Sequence, residues 1–260
     1  MVLAFLEGLT VIQIGMIASV AAGLATAVGA LPILFTQRVS DKARDMLLGF
    51  AAGVMLAATS FSLVVPAIEY GGGGISAVMA VVVGMLAGAI FLDLVDKHSP
   101  HKHFIKGPEG GRSRLEAIWL FVIAITIHNF PEGLAVGVGF GSGDVGNGIA
   151  LAIGIGLQNM PEGLAVALAL LGEKYTRRVA FLVALLTGLV EPIGGFLGLF
   201  LIQWMQWILP YGLAFAAGAM LFVISDEIIP ETHRSGFERL ATYAVVVGFL
   251  VMMFLDNTLG

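Results

Sequence analysis

His128 and Glu132 in "HNFPEG" are four residues apart, and so are Gln158 and Glu162 in "QNMPEG" further along the chain. That spacing puts each pair on one face of a helix. Imidazole, carboxamide and carboxylate together form a borderline donor set, suited to Zn²⁺ and neighbouring first-row divalent ions, whereas Mg²⁺ or Ca²⁺ would favour oxygen alone. Pro131 and Pro161 cannot donate to the carbonyls of residues 127 and 157, so a kink and a freed carbonyl are expected in each helix. Glu191, in "GLVEPIGG", adds a third carboxylate followed by its own proline. Met55 offers a thioether that serves equally well for core packing or for ligation.

These residues lie in segments that are otherwise apolar. The chain has 260 residues, 58% of them hydrophobic and only 12% charged, with a mean hydropathy of +0.97. This composition excludes an average soluble domain. Stretches long enough to span a bilayer fall at about 9–35, 46–68, 75–95, 115–140, 147–171, 179–202, 210–230 and 240–259. The reading is one all-α polytopic membrane domain over 1–260, with eight transmembrane helices. The least regular stretch is 205–215, around "MQWILPYG". Cysteine is absent, so thiolate sites and disulfides are excluded. The first segment has no Lys or Arg before it and reads as a retained helix, not a signal peptide.

All 13 basic residues fall in alternate loops. Arg38, Lys42 and Arg44 precede helix two; Lys97, Lys102, Lys106, Arg112 and Arg114 precede helix four; Lys174, Arg177 and Arg178 precede helix six; Arg234 and Arg239 precede helix eight. The positive-inside rule then predicts both termini outside the cytoplasm and four cytoplasmic loops. Glu7, Glu69, Asp144 and Asp256 leave the outer face anionic. Counting along the helices brings His128, Gln158, Glu191 and Met55 near one depth at the bilayer centre. Glu132, Glu162 and Glu191 are therefore intramembrane carboxylates with every Lys and Arg assigned elsewhere. Such groups must be protonated or face a bound cation.

"FAAGVMLAATS" (Phe50 to Ser60) resembles "FAAGAMLFVIS" (Phe215 to Ser225), each followed by a proline, Pro66 and Pro230. Helices two and seven run in opposite directions in the predicted topology, as do helices four and five. A 3+2+3 arrangement with inverted repeats follows, a common plan for secondary transporters with midplane sites. Gly133, Gly137 and Gly141 on helix four and Gly194, Gly195 and Gly198 on helix six are read as packing residues. The one long polar insertion, about 96–114, carries His98, His101 and His103, read as a solvated loop with metal binding as the alternative.

Both motifs resemble the signature of the ZIP (Zrt-, Irt-like protein) family. The likeness extends over nearly the whole chain, and Gln158 in place of His is similar to the bacterial GufA-like branch. The resemblance implies a binuclear midplane metal site, with Met55, His128, Glu132, Gln158 and Glu162 at one ion and Asn129, Glu132, Asn159, Glu162 and Glu191 at the other. Asn159 departs from members that carry Asp there. It also implies movement of divalent metal into the cytoplasm by an elevator-like motion. Asp226, Glu227, Glu231 and His233, in "SDEIIPETH", resemble an inner exit; a polar helix end is the plain alternative.

The functional expectation is transport of Zn²⁺, with Cd²⁺, Fe²⁺ or Mn²⁺ as further substrates, across a bacterial inner membrane by a protein that is not an enzyme and binds no nucleic acid. Monomer and homodimer are both open. An intramembrane zinc hydrolase is the first rival, but its H-E-x-x-H fingerprint is missing, since residue 129 is Asn. A proton or sodium antiporter is the second; it would leave His128 and Met55 without a task.

Overall fold

A computed structural model describes residues 8–35, 40–98, 114–233 and 236–259, and among them there is no strand. Helix α1 spans Val11–Ala30 and tightens into a 3₁₀ turn over Leu31–Leu34. α2 runs over Asp41–Ala57, widens into a π-helical stretch at Ala58–Val64 and closes with Val65–Tyr70. α3 is Gly74–His98, α4 Arg114–Gly141 and α5 Val145–Gly172. α6 has two halves, Arg177–Gly188 and Glu191–Trp204. α7 runs over Leu209–Val223, a second π-helical stretch at Ile224–Ile228 and Ile229–Thr232; α8 is Glu238–Leu259.

Among the described residues, seven of these helices are long and apolar enough to cross a membrane. α4, at 28 residues, is also of spanning length, roughly 42 Å at 1.5 Å per residue. The chain is a multi-pass membrane protein. Its large exposed apolar side chains, among them Val83, Leu86 and Ile90 on α3 and Val247 and Phe254 on α8, are what a lipid-facing surface requires.

Local chemistry sets the helix ends. Thr10 and Gln13 form a reciprocal capping box at the start of α1. Ser40 accepts from the Ala43 N–H at 3.2 Å, so α2 begins at Asp41, earlier than hydropathy predicts. Asp144 caps α5 and Thr176 caps α6. The link from α2 to α3 is a glycine turn in which Gly72, Gly73 and Gly74 all have positive φ, a conformation that side chains with a Cβ resist. The irregular stretch between α6 and α7 leaves the helix at Met205, makes a 3₁₀ turn over Gln206–Ile208 and re-enters at Leu209. α3 continues to His98, whose side chain lies outside the described set, as do His101 and His103.

Two groups of helices result. α1 packs along α5 and both halves of α6, and α4 packs along the second half of α6. Separately, α2 packs along α8 and α3 along α7. The groups meet where α2 and α8 touch α5 and where α7 touches α4. Within each group the close approaches are glycine against backbone. A Cβ at Gly53 would fall on the Val245 carbonyl and one at Gly248 on that of Phe50; a Cβ at Gly218 would fall on the Met85 carbonyl and one at Gly88 on that of Phe215. In the other group Gly163 abuts the Thr26 carbonyl, Gly29 that of Met160, Gly133 that of Glu191 and Gly194 that of Phe130. In lipid, where no hydrophobic effect separates helix from surroundings, such contacts carry the dispersion and backbone packing that hold helices together.

Candidate metal centre

The polar residues of the two PEG motifs and of the α6 break converge inside the first group. α4 and α5 remain helical through Pro131 and Pro161. α6 does not: the helix stops at Gly188 and restarts at Glu191. Pro192 stands in the first turn of the new segment, where its missing N–H costs nothing. The break sets Glu191 at the N-terminal end of a half-helix inside the bundle. Unpaired N–H groups and the positive end of the helix dipole favour negative charge there. The Ser19 hydroxyl donates to the Glu191 carbonyl at 3.1 Å and ties the restart to α1.

Glu132, Gln158, Asn159 and Glu191 are each no more than 1% exposed. His128, Asn129 and Glu162 are buried with them. The Gln158 amide donates to Glu132 Oε1 at 2.5 Å. That of Asn159 donates to Glu191 Oε1 at 2.7 Å and to the Ala22 carbonyl at 2.9 Å. Each amide thus couples its own motif to a carboxylate from another helix. Glu162 lies close enough to both Glu132 and Glu191 for the charges to interact. Among the described residues, Arg44 pairs with Asp41 at 3.6 Å and with the buried Asp45 at 3.7 Å. No Lys or Arg is among the partners of Glu132 or Glu191.

One oxygen of each of these groups has no protein partner: Glu132 Oε2, Gln158 Oε1, Asn159 Oδ1 and Glu191 Oε2, together with both polar atoms of the Asn129 amide. Buried polar atoms without partners are rare in folded proteins and expensive. Here they gather on three adjacent helices, and all but the Asn129 nitrogen can bind a cation. Among the described residues, no three His, Asp or Glu side chains are drawn together as a ready ligating cluster. The carboxylates are instead held by amide hydrogen bonds, which a cation would compete with and displace.

Met55, 1% exposed, lies on α2 in the other group, beside α5. Of the residues of the expected exit, the side chains of Asp226, Glu231 and His233 are described. Asp226 lines an apolar groove of about 520 Å³ between α3 and α7, with Met85, Phe222 and Ser225. Glu231 is buried in the last turn of α7, which packs against α2. His233 is exposed, and its Nδ1 lies 2.8 Å from the Thr232 hydroxyl and 2.9 Å from the Ile229 carbonyl. Glu227 sits in the π-helical stretch, with its side chain outside the described set.

Sequence reasoning missed α1. Ser19 and the Ala22 carbonyl support Glu191 and Asn159, and Thr26 lies between Gly163 and Gly188. The available signal was spacing: Gly23, Thr26 and Gly29 precede Gly188, Glu191 and Gly194 by the same separation that relates Phe50 to Phe215.

A family model described as ZIP Zinc transporter matches residues 96–256. The Zinc transporter GufA of Myxococcus xanthus is 48% identical over 251 residues, covering 95% of this chain and 99% of that protein. The Zinc transporter ZIPB of Bordetella bronchiseptica is 42% identical, covering 92% of this chain and 80% of that protein. The Zinc transporter ZIP11 of Homo sapiens is 38% identical, covering 90% and 94%. The chain therefore belongs to the ZIP family, in its GufA-like bacterial branch, a family of transporters and not of enzymes.

Proposed function

We propose that the protein carries Zn²⁺, and less selectively Cd²⁺, Fe²⁺ or Mn²⁺, into the cytoplasm of a bacterium through a binuclear site at the bilayer midplane. Zinc as the substrate is supported by relatives that bear the name zinc transporter. The observation that carries the site is the set of buried, partnerless oxygens on Asn129, Glu132, Gln158, Asn159 and Glu191. Removed from solvent and facing one another, they form a cage that a divalent ion would satisfy. In this reading Met55, His128, Glu132, Gln158 and Glu162 hold the first ion, and Asn129, Glu132, Asn159, Glu162 and Glu191 the second. Two ions bring four positive charges against three carboxylates, so Glu132 and Glu162 must bridge. The basic loops face the cytoplasm and both termini lie outside.

An inverted 3+2+3 repeat gives this site its means of alternation. Exchange α1 with α6, α2 with α7, α3 with α8 and α4 with α5, and the glycine contacts map onto one another: Gly53 on Val245 becomes Gly218 on Met85, and Gly163 on Thr26 becomes Gly133 on Glu191. The two groups, however, are offset. On α2 and α5, Val54 meets Gly154, and Asn147 donates to the Ser62 carbonyl at 3.3 Å. In the equivalent register on α7 and α4, Gly212 would face residue 131 or 132; it faces Val138. The difference, about six residues or close to 10 Å, equals twice the displacement of the α1, α4, α5, α6 group toward the basic end from a symmetric position. A slide of that length in the opposite direction is the elevator-like stroke.

Purified protein in liposomes should take up radioactive zinc without catalysing hydrolysis of peptide or lipid. Uptake of Na⁺ or H⁺ exchange with no zinc movement would overturn the reading in favour of an antiporter. Metal-dependent hydrolysis without transport would overturn it in favour of an enzyme.

A further inference from the structure

The pairing of halves that relates Gly53 to Gly218 also relates Met55 to Met220. Both methionines are 1% exposed. Each lies two residues, about 200° of helical turn, beyond the glycine that abuts a neighbour: Gly53 faces α8 and Gly218 faces α3. Met55 therefore lies on the side of α2 away from α8, where α5 and α7 pack, and Met220 on the side of α7 away from α3, where α4 and α2 pack. The two thioethers address the two PEG helices from opposite repeats. The methionines stand in a block that the two repeats share, "FAAGVML" at 50–56 and "FAAGAML" at 215–221, in which only Val54 and Ala219 differ.

Their heights differ. With Val54 beside Gly154, Met55 is level with residue 153, about 7 Å from Gln158 on the side away from the basic loops. Helical side chains lean toward their own N-terminus, so Met55 leans toward Gln158. With Gly212 beside Val138, Met220 is level with residue 130 and leans away from His128. A slide of about 10 Å reverses both relations: Met55 passes Gln158 and leans away, while Met220 comes to lie on the basic side of His128 and leans toward it. We propose that Met220 is a metal ligand of the outward position, taking the place that Met55 holds in the inward one, so that the ion keeps one thioether while the helix that supplies it changes.

The proposal rests on the midplane-metal reading above, and its test separates the two. Wild-type, Met55→Leu, Met220→Leu, Met220→Cys and Met79→Leu proteins are reconstituted in liposomes, and initial uptake of Cd²⁺ and Mn²⁺ is measured against concentration, with equilibrium Cd²⁺ binding on the purified proteins. Leu keeps the volume of Met and removes only the sulfur. Cd²⁺ is soft and Mn²⁺ is not, so a lost thioether and a packing defect have different signatures. Met220→Leu should raise the KM for Cd²⁺ about tenfold, equivalent to ~1.4 kcal/mol, and leave that for Mn²⁺ within about twofold. Met220→Cys should restore Cd²⁺ uptake, and Met79→Leu, at an exposed position on α3, should behave as wild type. Unchanged uptake of both ions in Met220→Leu, or an equal loss of both, overturns the proposal. Should Met220→Leu not fold, Met220→Cys decides: its thiol is the only one in the chain, and Cd²⁺ should protect it from a methanethiosulfonate reagent. A thiol that Cd²⁺ leaves reactive overturns the proposal. Wild-type protein that moves neither ion, or binds no Cd²⁺, removes the underlying reading instead.

Discussion

α1 and the second half of α6 occupy equivalent places against α5 and α4 and differ in one atom group of consequence. Thr26 gives its carbonyl to the close approach of Gly163, as Glu191 does for Gly133. Both residues are fully buried. On one side the side chain is a hydroxyl without a hydrogen-bond partner; on the other it is a carboxylate held by Asn159. Packing at these positions asks only for small neighbours and a reachable carbonyl, and both halves meet that demand. Charge was added to one half alone. The lesson is that at this pair of positions shape is repeated and charge is not, so the second ion of the proposed site would belong to the α6 side.

The strongest test of that asymmetry removes what both sides share. Glu132→Ala takes the carboxylate proposed to bridge from beside Gly133, so zinc uptake should fall to background and the purified protein should retain almost no metal by elemental analysis. Two ions retained would rule out bridging. Next in size, Thr26→Glu supplies the missing carboxylate to α1. No Lys or Arg among the described residues pairs with that carboxylate's surroundings, so the folded yield should fall and thermal stability should drop by about 3 kcal/mol or more. A stable Thr26→Glu protein that binds a third ion would mean the halves are chemically interchangeable.

Glu191→Thr makes the two halves alike by subtraction. The protein should remain folded and bind one ion in place of the two proposed for the wild type, a change that anomalous diffraction would place at the α6 side. Smallest of all, Thr26→Val keeps the shape and deletes a buried hydroxyl that makes no hydrogen bond. Its thermal stability should change by no more than about 0.5 kcal/mol, and metal content should not change. A clear loss of metal in Thr26→Val would give α1 a ligand and end the comparison.

Much of this was legible in the sequence, for unequal reasons. Spans could be read because lipid demands about 20 apolar residues for each crossing. The polar residues now found side by side, Glu132 with Gln158 and Asn159 with Glu191, stood out because few side chains justify burial of a carboxylate in so apolar a chain. The part played by α1 was not legible, since it acts through Ser19, the Ala22 carbonyl and glycines, which carry no hydropathy signal. Nor were the interruption of α6 before Glu191 and the two π-helical stretches, which depend on how backbone carbonyls are shared and not on residue type.

The wide turns at Ala58–Val64 and Ile224–Ile228 have a consequence for how the two repeats tolerate change. A π turn amounts to one surplus residue wound into an α-helix. Deleting a single residue there should restore ordinary α geometry and leave the inner part of the helix undisturbed. The helix on the far side would keep its facing as well, including the segment from Pro66 to Tyr70 that leads into the glycine turn. Insertions and deletions elsewhere in these helices shift a whole face out of register, whereas these stretches act as slack in the winding. Length variation among homologous chains should therefore collect in them before it reaches the packed cores of α2 and α7.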